Sequence, residues 1–221
     1  MSYGWSGGVG QPRPRLQRLS WLVLACTAAT LLSCQTQPHL SSGGVENEAV
    51  MENYMIIDDF SGQRSALGPS WEGFSDRVMG GVSDLTSRIV SDGNLHYLEM
   101  SGHVSTRNNG GFIQLRLKVG SDLVPLDGSR FLGIRLVVRG SGTGYYLHAR
   151  TTGMVLPWKY YAAPIPLSPS WATIDIPWSA FEPGDFGRMG KFRPSLLKSL
   201  AVVAAKSGFD ALIEVREIGL Y

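Results

Sequence analysis

The sequence predicts an all-β protein, an antiparallel two-sheet β-sandwich folded as a single domain over residues 54–221. Three observations carry this. The chain has 27 Gly and 12 Pro beside 43% hydrophobic residues, which suits short strands joined by turns. Three segments alternate with period two, and one polar face on each marks strands covered on one side only. Helical pattern is confined to a turn at Ser179–Phe181 and a short piece around Pro194–Lys198, and nothing has βαβ spacing.

The first 33 residues stand apart. Arg13, Arg15 and Arg18 precede an apolar run, Leu19–Leu32, of 14 residues, where a membrane-spanning helix takes roughly 20. This is the order of a secretory signal. Leu31-Leu32-Ser33-Cys34 resembles a bacterial lipoprotein cleavage box, so residues 1–33 are expected to be removed and Cys34 to carry lipid on the periplasmic side of the cell envelope, at the outer membrane if Gln35 acts as a sorting residue. The alternative is a mitochondrial presequence, against which Trp21-Leu22-Val23-Leu24-Ala25 is apolar all round. Residues 34–53 then form the lipidated cysteine and a polar tether. Cys26 and Cys34 are the two cysteines, so residues 54–221 hold no thiol for a disulfide, metal site or nucleophile. Removing the three leader arginines from 20 basic residues leaves 17 against 18 acidic ones, which argues against a nucleic-acid partner.

Within the body, Met55-Ile56-Ile57 reads as a first strand turning at Asp58-Asp59-Phe60, with further strands at Asp84–Val90 and Asn94–Met100. In Phe112–Val119, residues Ile113, Leu115, Leu117 and Val119 face one way and Gln114, Arg116 and Lys118 the other. Phe131–Arg139 and Tyr145–Thr152 repeat the pattern, and strands follow at Lys159–Ile165, Trp171–Ile176, Leu200–Lys206 and Ala211–Tyr221. Turns are marked by Asn108-Asn109-Gly110-Gly111, Asp127-Gly128 and Gly140-Ser141-Gly142.

The stretch that the rest serves is Trp71–Ser83, WEGFSDRVMGGVS. Adjacent Gly80 and Gly81 predict a tight turn rather than a helix or strand, with Trp71 and Phe74 buried on one side and Asp76 and Arg77 at its entrance. The candidate partner surface is Trp71, Asp76, Arg77, Met79, Gly80, Gly81 and Ser83, joined by Asn109, Gly110, Gly111 and Phe112 of the second glycine turn. Asp76 and Arg77 are read either as a ligand-binding pair or as a bond set fixing the turn, and the asparagines as turn residues that tolerate left-handed backbone.

SDRVMGGVS at Ser75–Ser83, NNGGF at Asn108–Phe112 and VVRGSG at Val137–Gly142 resemble the complex I intermediate-associated protein 30 family, as does the later order of Trp171, Ile176-Pro177-Trp178 and Phe181. The resemblance spans residues 54–221. It implies a galactose-binding-like jelly roll and a chaperone-like role in assembling respiratory NADH dehydrogenase, with no catalytic residues to carry over. The expected function is therefore non-catalytic binding, assisting assembly of a membrane protein complex from the membrane surface, with membrane-complex subunits as partners.

Other chemistries fare worse. Gly140, Gly142 and Gly144 make a GxGxG before a strand rather than a helix, so no nucleotide is expected. Asp185-Phe186-Gly187 lacks every companion of a kinase magnesium motif. His39, His96, His103 and His148 have no ligand spacing, and no metal or cofactor is expected; structural calcium at Asp58 and Asp59 is the alternative. The competing function is a carbohydrate-binding module of the cell envelope using Trp158, Tyr160, Tyr161, Tyr145 and Tyr146, whose rings are otherwise core. Arg116, Arg135, Arg139 and Arg150 would form a mixed Arg and Tyr surface if their strands share a sheet.

Overall fold

A computed structural model describes residues 53–184 and 189–221. The leader, Cys34, the tether up to residue 52 and Asp185-Phe186-Gly187 lie outside the described residues.

Twelve strands are described: β1 Met55–Asp58, β2 Glu72–Ser75, β3 Thr86–Asp92, β4 Leu95–Val104, β5 Phe112–Lys118, β6 Gly133–Gly140, β7 Tyr145–Thr151, β8 Tyr161–Pro164, β9 Ala172–Pro177, β10 Glu182–Pro183, β11 Leu197–Ala205 and β12 Phe209–Leu220. The first sheet runs β3-β4-β12-β6-β9, with β1 also on β12; the second runs β10-β8-β7-β11-β5-β2. Every neighbouring pair is antiparallel. The two sheets form the jelly-roll β-sandwich.

Alternation fixes which residues meet between the sheets. Ile113, Leu115 and Leu117 of β5 and Leu147 and Ala149 of β7 are buried opposite Ile134, Leu136 and Val138 of β6 and Ile213 and Val215 of β12. Removing such apolar area from water is the main stabilising term. Tyr145 also ties the sheets by hydrogen bonding: its hydroxyl accepts from the Leu212 N–H at 2.9 Å and donates to the Leu212 carbonyl at 3.2 Å. Tyr145 and Tyr161 are therefore core residues. The two helical pieces expected from the sequence are single 3₁₀ turns, at Trp178–Ala180 and Pro194–Leu196.

Two expectations need correction. Glu72–Ser75, assigned from sequence to the glycine turn, is the edge strand β2, paired with β5 from Glu72 opposite Arg116 to Ser75 opposite Ile113. The four arginines do not share a sheet: Arg116 and Arg150 lie in the second, Arg135 and Arg139 in the first. The loop Gly140–Gly144 carries the chain from β6 in one sheet to β7 in the other, so a local pattern could not report the change.

Candidate functional site

The two glycine turns meet on one carboxylate. After β2 the chain makes a 3₁₀ turn, Asp76–Met79, whose Ser75 side chain accepts from the Arg77 N–H and whose last residue is followed by Gly80 in left-handed backbone (φ 91°). The short turn folds Asp76 inward until it is fully buried. There its carboxylate accepts from the Ser83 N–H at 2.9 Å, the Ser83 hydroxyl, the Gly111 N–H at 2.6 Å and, more weakly, the Phe112 N–H at 3.4 Å. Ser83 is buried in turn, and its hydroxyl accepts from the Ser105 N–H at 2.9 Å.

The glycines are explained by this carboxylate. A Cβ on Gly81 would lie 2.3 Å from the Asp76 carboxyl carbon, and one on Gly110 would lie 2.4 Å from its Oδ2. Neither position admits a side chain. Asn108 and Asn109 both take left-handed backbone (φ 57°), and the Asn108 amide reaches the Gly80 carbonyl at 3.4 Å. Burial on its own raises the Asp76 carboxyl; the Ser83 hydroxyl and the N–H groups of Gly111, Ser83 and Phe112 outweigh it, holding the group below the ordinary carboxylate range. Asp76 is thus a clasp between the loops, already filled by protein donors.

Arg77 turns the other way. It donates to the Ser83 carbonyl at 2.9 Å and pairs with exposed Asp84, so the expected pairing of Asp76 with Arg77 at the turn's entrance gives way to one buried and one exposed group. What the turn displays is apolar: Val78 is 71% exposed and Met79 60%. Trp71 does not belong to this cluster. The four residues of β2 separate it from Asp76 by about 16 Å, and its indole N–H donates instead to Asp58 at 2.9 Å. Asp58 is buried, and that burial raises its carboxyl despite bonds from Phe60 and Trp71. Asp59 accepts from Ser61. Among the described residues no group of three or more His, Cys, Asp or Glu comes together to hold a metal ion.

From the clasp the surface continues along the outer face of the second sheet. Phe112, whose N–H reaches Asp76, packs with Tyr146 against Ala201, Val203 and Ala205 of β11. The register lines up Pro164, Tyr146, Val203, Gln114 and Phe74, and beside them Ala162, His148, Ala201, Arg116 and Glu72. The middle of the face is thus a floor of small residues between rings. His148 stacks on Tyr160 at 3.9 Å with planes 11° apart, and Lys206 lies over Tyr146 at 4.7 Å. Burial, aided by Lys206, pushes His148 down to about 3, so the imidazole is neutral at physiological pH. At one edge a groove of about 200 Å³ is lined by Tyr146, Tyr160, Glu182 and Lys206, among others. Val78 and His148 were not singled out as site residues from the sequence. The small floor had a signal: β11 is apolar on both faces, unlike the alternating strands.

The profile of the complex I intermediate-associated protein 30 family matches residues 59–205. The chain belongs to that family. The match takes in both glycine turns and the outer face of β7 and β11. No curated protein sequence matches the chain significantly. Among solved structures it is similar to the family 11 carbohydrate-binding module of the cellulosomal cellulase Lic26A-Cel5E of Clostridium thermocellum, with TM-score 0.60 and 20% identity over 76% of this chain and 93% of that one. It is also similar to a family 11 module of that organism in complex with a beta-1,3-1,4-mixed-linked tetrasaccharide, with TM-score 0.57 and 19% identity over 76% and 94%. These likenesses show the shared fold of this complex I intermediate-associated protein 30 domain, a jelly-roll sandwich.

Proposed function

We propose that the domain is a non-catalytic, chaperone-like binding module that assists assembly of a membrane protein complex, gripping a subunit with the Asp76–Ser83 turn and the adjoining face of the second sheet. The observation that carries it is the inversion at that turn: its acid is buried and saturated, while Val78 and Met79 are displayed on a backbone fixed from both sides. Rigid display lowers the entropic cost of binding, and an exposed Met adapts to apolar partners. Family membership supports the assembly role. In this account the domain works from a membrane surface, held there by lipid on Cys34. The test is affinity purification of wild type and a Val78→Ser, Met79→Ser double variant from membranes. Loss of co-purified respiratory-complex subunits by a stably folded variant is expected; an unchanged set would refute the role of the turn.

A second proposal, glycan binding on the outer face of the second sheet, is favoured by the His148–Tyr160 stack beside a small-residue floor and the groove next to it. Flat rings beside a floor of small residues suit the apolar faces of sugars, and Glu182 and Lys206 at the groove can bond their hydroxyls. A glycan array decides it: saturable binding lost in Tyr160→Ala but kept in the Val78→Ser, Met79→Ser variant would assign the face to carbohydrate.

A further inference from the structure

The far end of the second sheet is built in the same inverted way and is absorbed by neither proposal. β5 runs from Phe112, beside Asp76, to Lys118, about 20 Å along the sheet. Beyond it, the loop before β6 and the loop between β7 and β8 lie together: the Gly153 N–H donates to Asp122, and Asp122 pairs with Lys198. Each loop holds its shape from within. The Ser121 hydroxyl accepts from the Val124 N–H at 2.9 Å, and the Ser121 N–H donates to the Val124 carbonyl at 2.9 Å. The half-buried Arg150 guanidinium donates to the carbonyls of Met154 at 2.8 Å, Leu156 at 2.9 Å and Lys159 at 3.2 Å. With their polar atoms turned inward, the loops push apolar side chains out: Leu123 is 93% exposed, Val155 87%, and Val124, Leu156 and Trp158 are exposed as well.

The charge around these tips is one-sided. Residues 118–130, 150–159 and 191–198 contain seven lysines and arginines against two aspartates, although the chain beyond its leader is nearly neutral. Three contacts bring the segments to one end: Leu126 with Leu197, the Gly128 N–H with the Pro194 carbonyl, and the Thr152 N–H with the Leu196 carbonyl. Glu72 of β2 adds a carboxylate at the edge, bound by Lys118 and Arg116. The chain enters β1 on this side too: Met55 pairs with Leu220, and the neighbouring Tyr221 carbonyl accepts from the Leu132 N–H.

We propose that this end, through Leu123 and Val155 at its tips and Trp158 and Lys159 behind them, docks on an anionic lipid bilayer. A protein interface gathers its apolar residues into a charge-depleted centre. Here separate apolar tips stand among cations. That arrangement fits a negatively charged surface which each side chain enters independently, with Trp at the headgroup level and lysines drawn to the phosphates. Docking in this way would leave the Asp76–Ser83 turn facing away from the membrane. The inference goes beyond the proposed function and stands on different residues.

The test uses the chain from residue 35 onward, which carries neither the apolar leader nor a native cysteine that could take lipid, with a single cysteine placed by Leu123→Cys, Val155→Cys or, as control, Val78→Cys. Each carries a nitrobenzoxadiazole label and meets protein-free vesicles of equal parts phosphatidylglycerol and phosphatidylcholine. The labels at 123 and 155 are expected to brighten several-fold and the label at 78 to stay unchanged; the gain should vanish on pure phosphatidylcholine and at about 1 M salt, where screening acts within about 3 Å. No change at 123 and 155, or equal brightening at all three positions, would overturn the proposal. Brightening at 123 and 155 that needs an added membrane protein and fails with lipid alone would also overturn it, giving the tips to a protein partner.

Discussion

The two outer faces of the sandwich handle charge in opposite ways. On the first sheet the charges are shown and paired among themselves. Arg88 forks onto Glu99 at 2.9 and 3.0 Å, Arg135 forks onto Asp175 at 2.7 and 2.9 Å, and Arg139 forks onto Glu214 while lying over Trp171 at 4.6 Å. The second sheet keeps exposed pairs too, Glu72 with Arg116 and Lys118 among them, but at its two ends and its centre ionisable groups are drawn in and apolar or aromatic ones put out: Asp76 beneath Val78 and Met79, Arg150 beneath Val155 and Leu156, His148 under Tyr160. The first face shows Ile56, Ile89 and Leu212, each about half-exposed, among its paired charges. At the two ends of the second sheet the polar groups are bonded within the loops while Val78, Met79, Leu123 and Val155 stay uncovered, which is why binding is proposed there.

If this contrast is right, substitutions should cost much more on the second side than on the first. The largest effect is expected from Asp76→Ala, which leaves the buried N–H groups of Ser83 and Gly111 and the Ser83 hydroxyl without their acceptor; a loss of about 3–5 kcal/mol in urea unfolding follows from the cost of stranded donors. Gly81→Ala forces a methyl onto the same carboxylate, and about 1–3 kcal/mol is expected from overpacking in the same measurement.

His148 supplies a pH test. Its folded value of about 3 lies below the ordinary 6.5, so the unfolded chain binds the proton first and stability falls as pH drops from about 6.5 toward 3. His148→Phe should flatten that decline by about 1–2 kcal/mol at pH 5 in thermal or urea melts. The Asp76 contribution is lost in a lower window: present above the ordinary Asp value of about 3.9, it disappears as pH falls through the depressed folded value. The smallest effect belongs to the first face, where Arg88→Ala should cost only about 0–1 kcal/mol because Arg88 is well exposed and its pair is screened. An Arg88→Ala loss matching that of Gly81→Ala would erase the contrast.

Local pattern made much of the fold legible. Period-two alternation in Phe112–Lys118 and Tyr145–Thr151 named the inward residues, because pleat geometry links sequence parity to side. The arginines went astray because parity gives the face of a strand but not its sheet, and the chain changes sheet between Gly140 and Tyr145. At the site, both glycine turns were visible as sequence. Their common centre was not, since Asp76 and Gly111 are 35 residues apart and adjacent Asp76 and Arg77 invite a pairing that the 3₁₀ turn prevents. Trp71 was placed with the turn because it is near in sequence, and an extended strand carries it away.

The central claim, that Asp76 is a clasp and not a free ligand group, is tested most directly by carbon-detected NMR titration of its carboxyl in the folded protein. The account predicts a midpoint below about 3.9, with the Gly111 and Ser83 amide protons shifting in the same titration. A midpoint at or above the ordinary value, with those two amides unmoved, would contradict it.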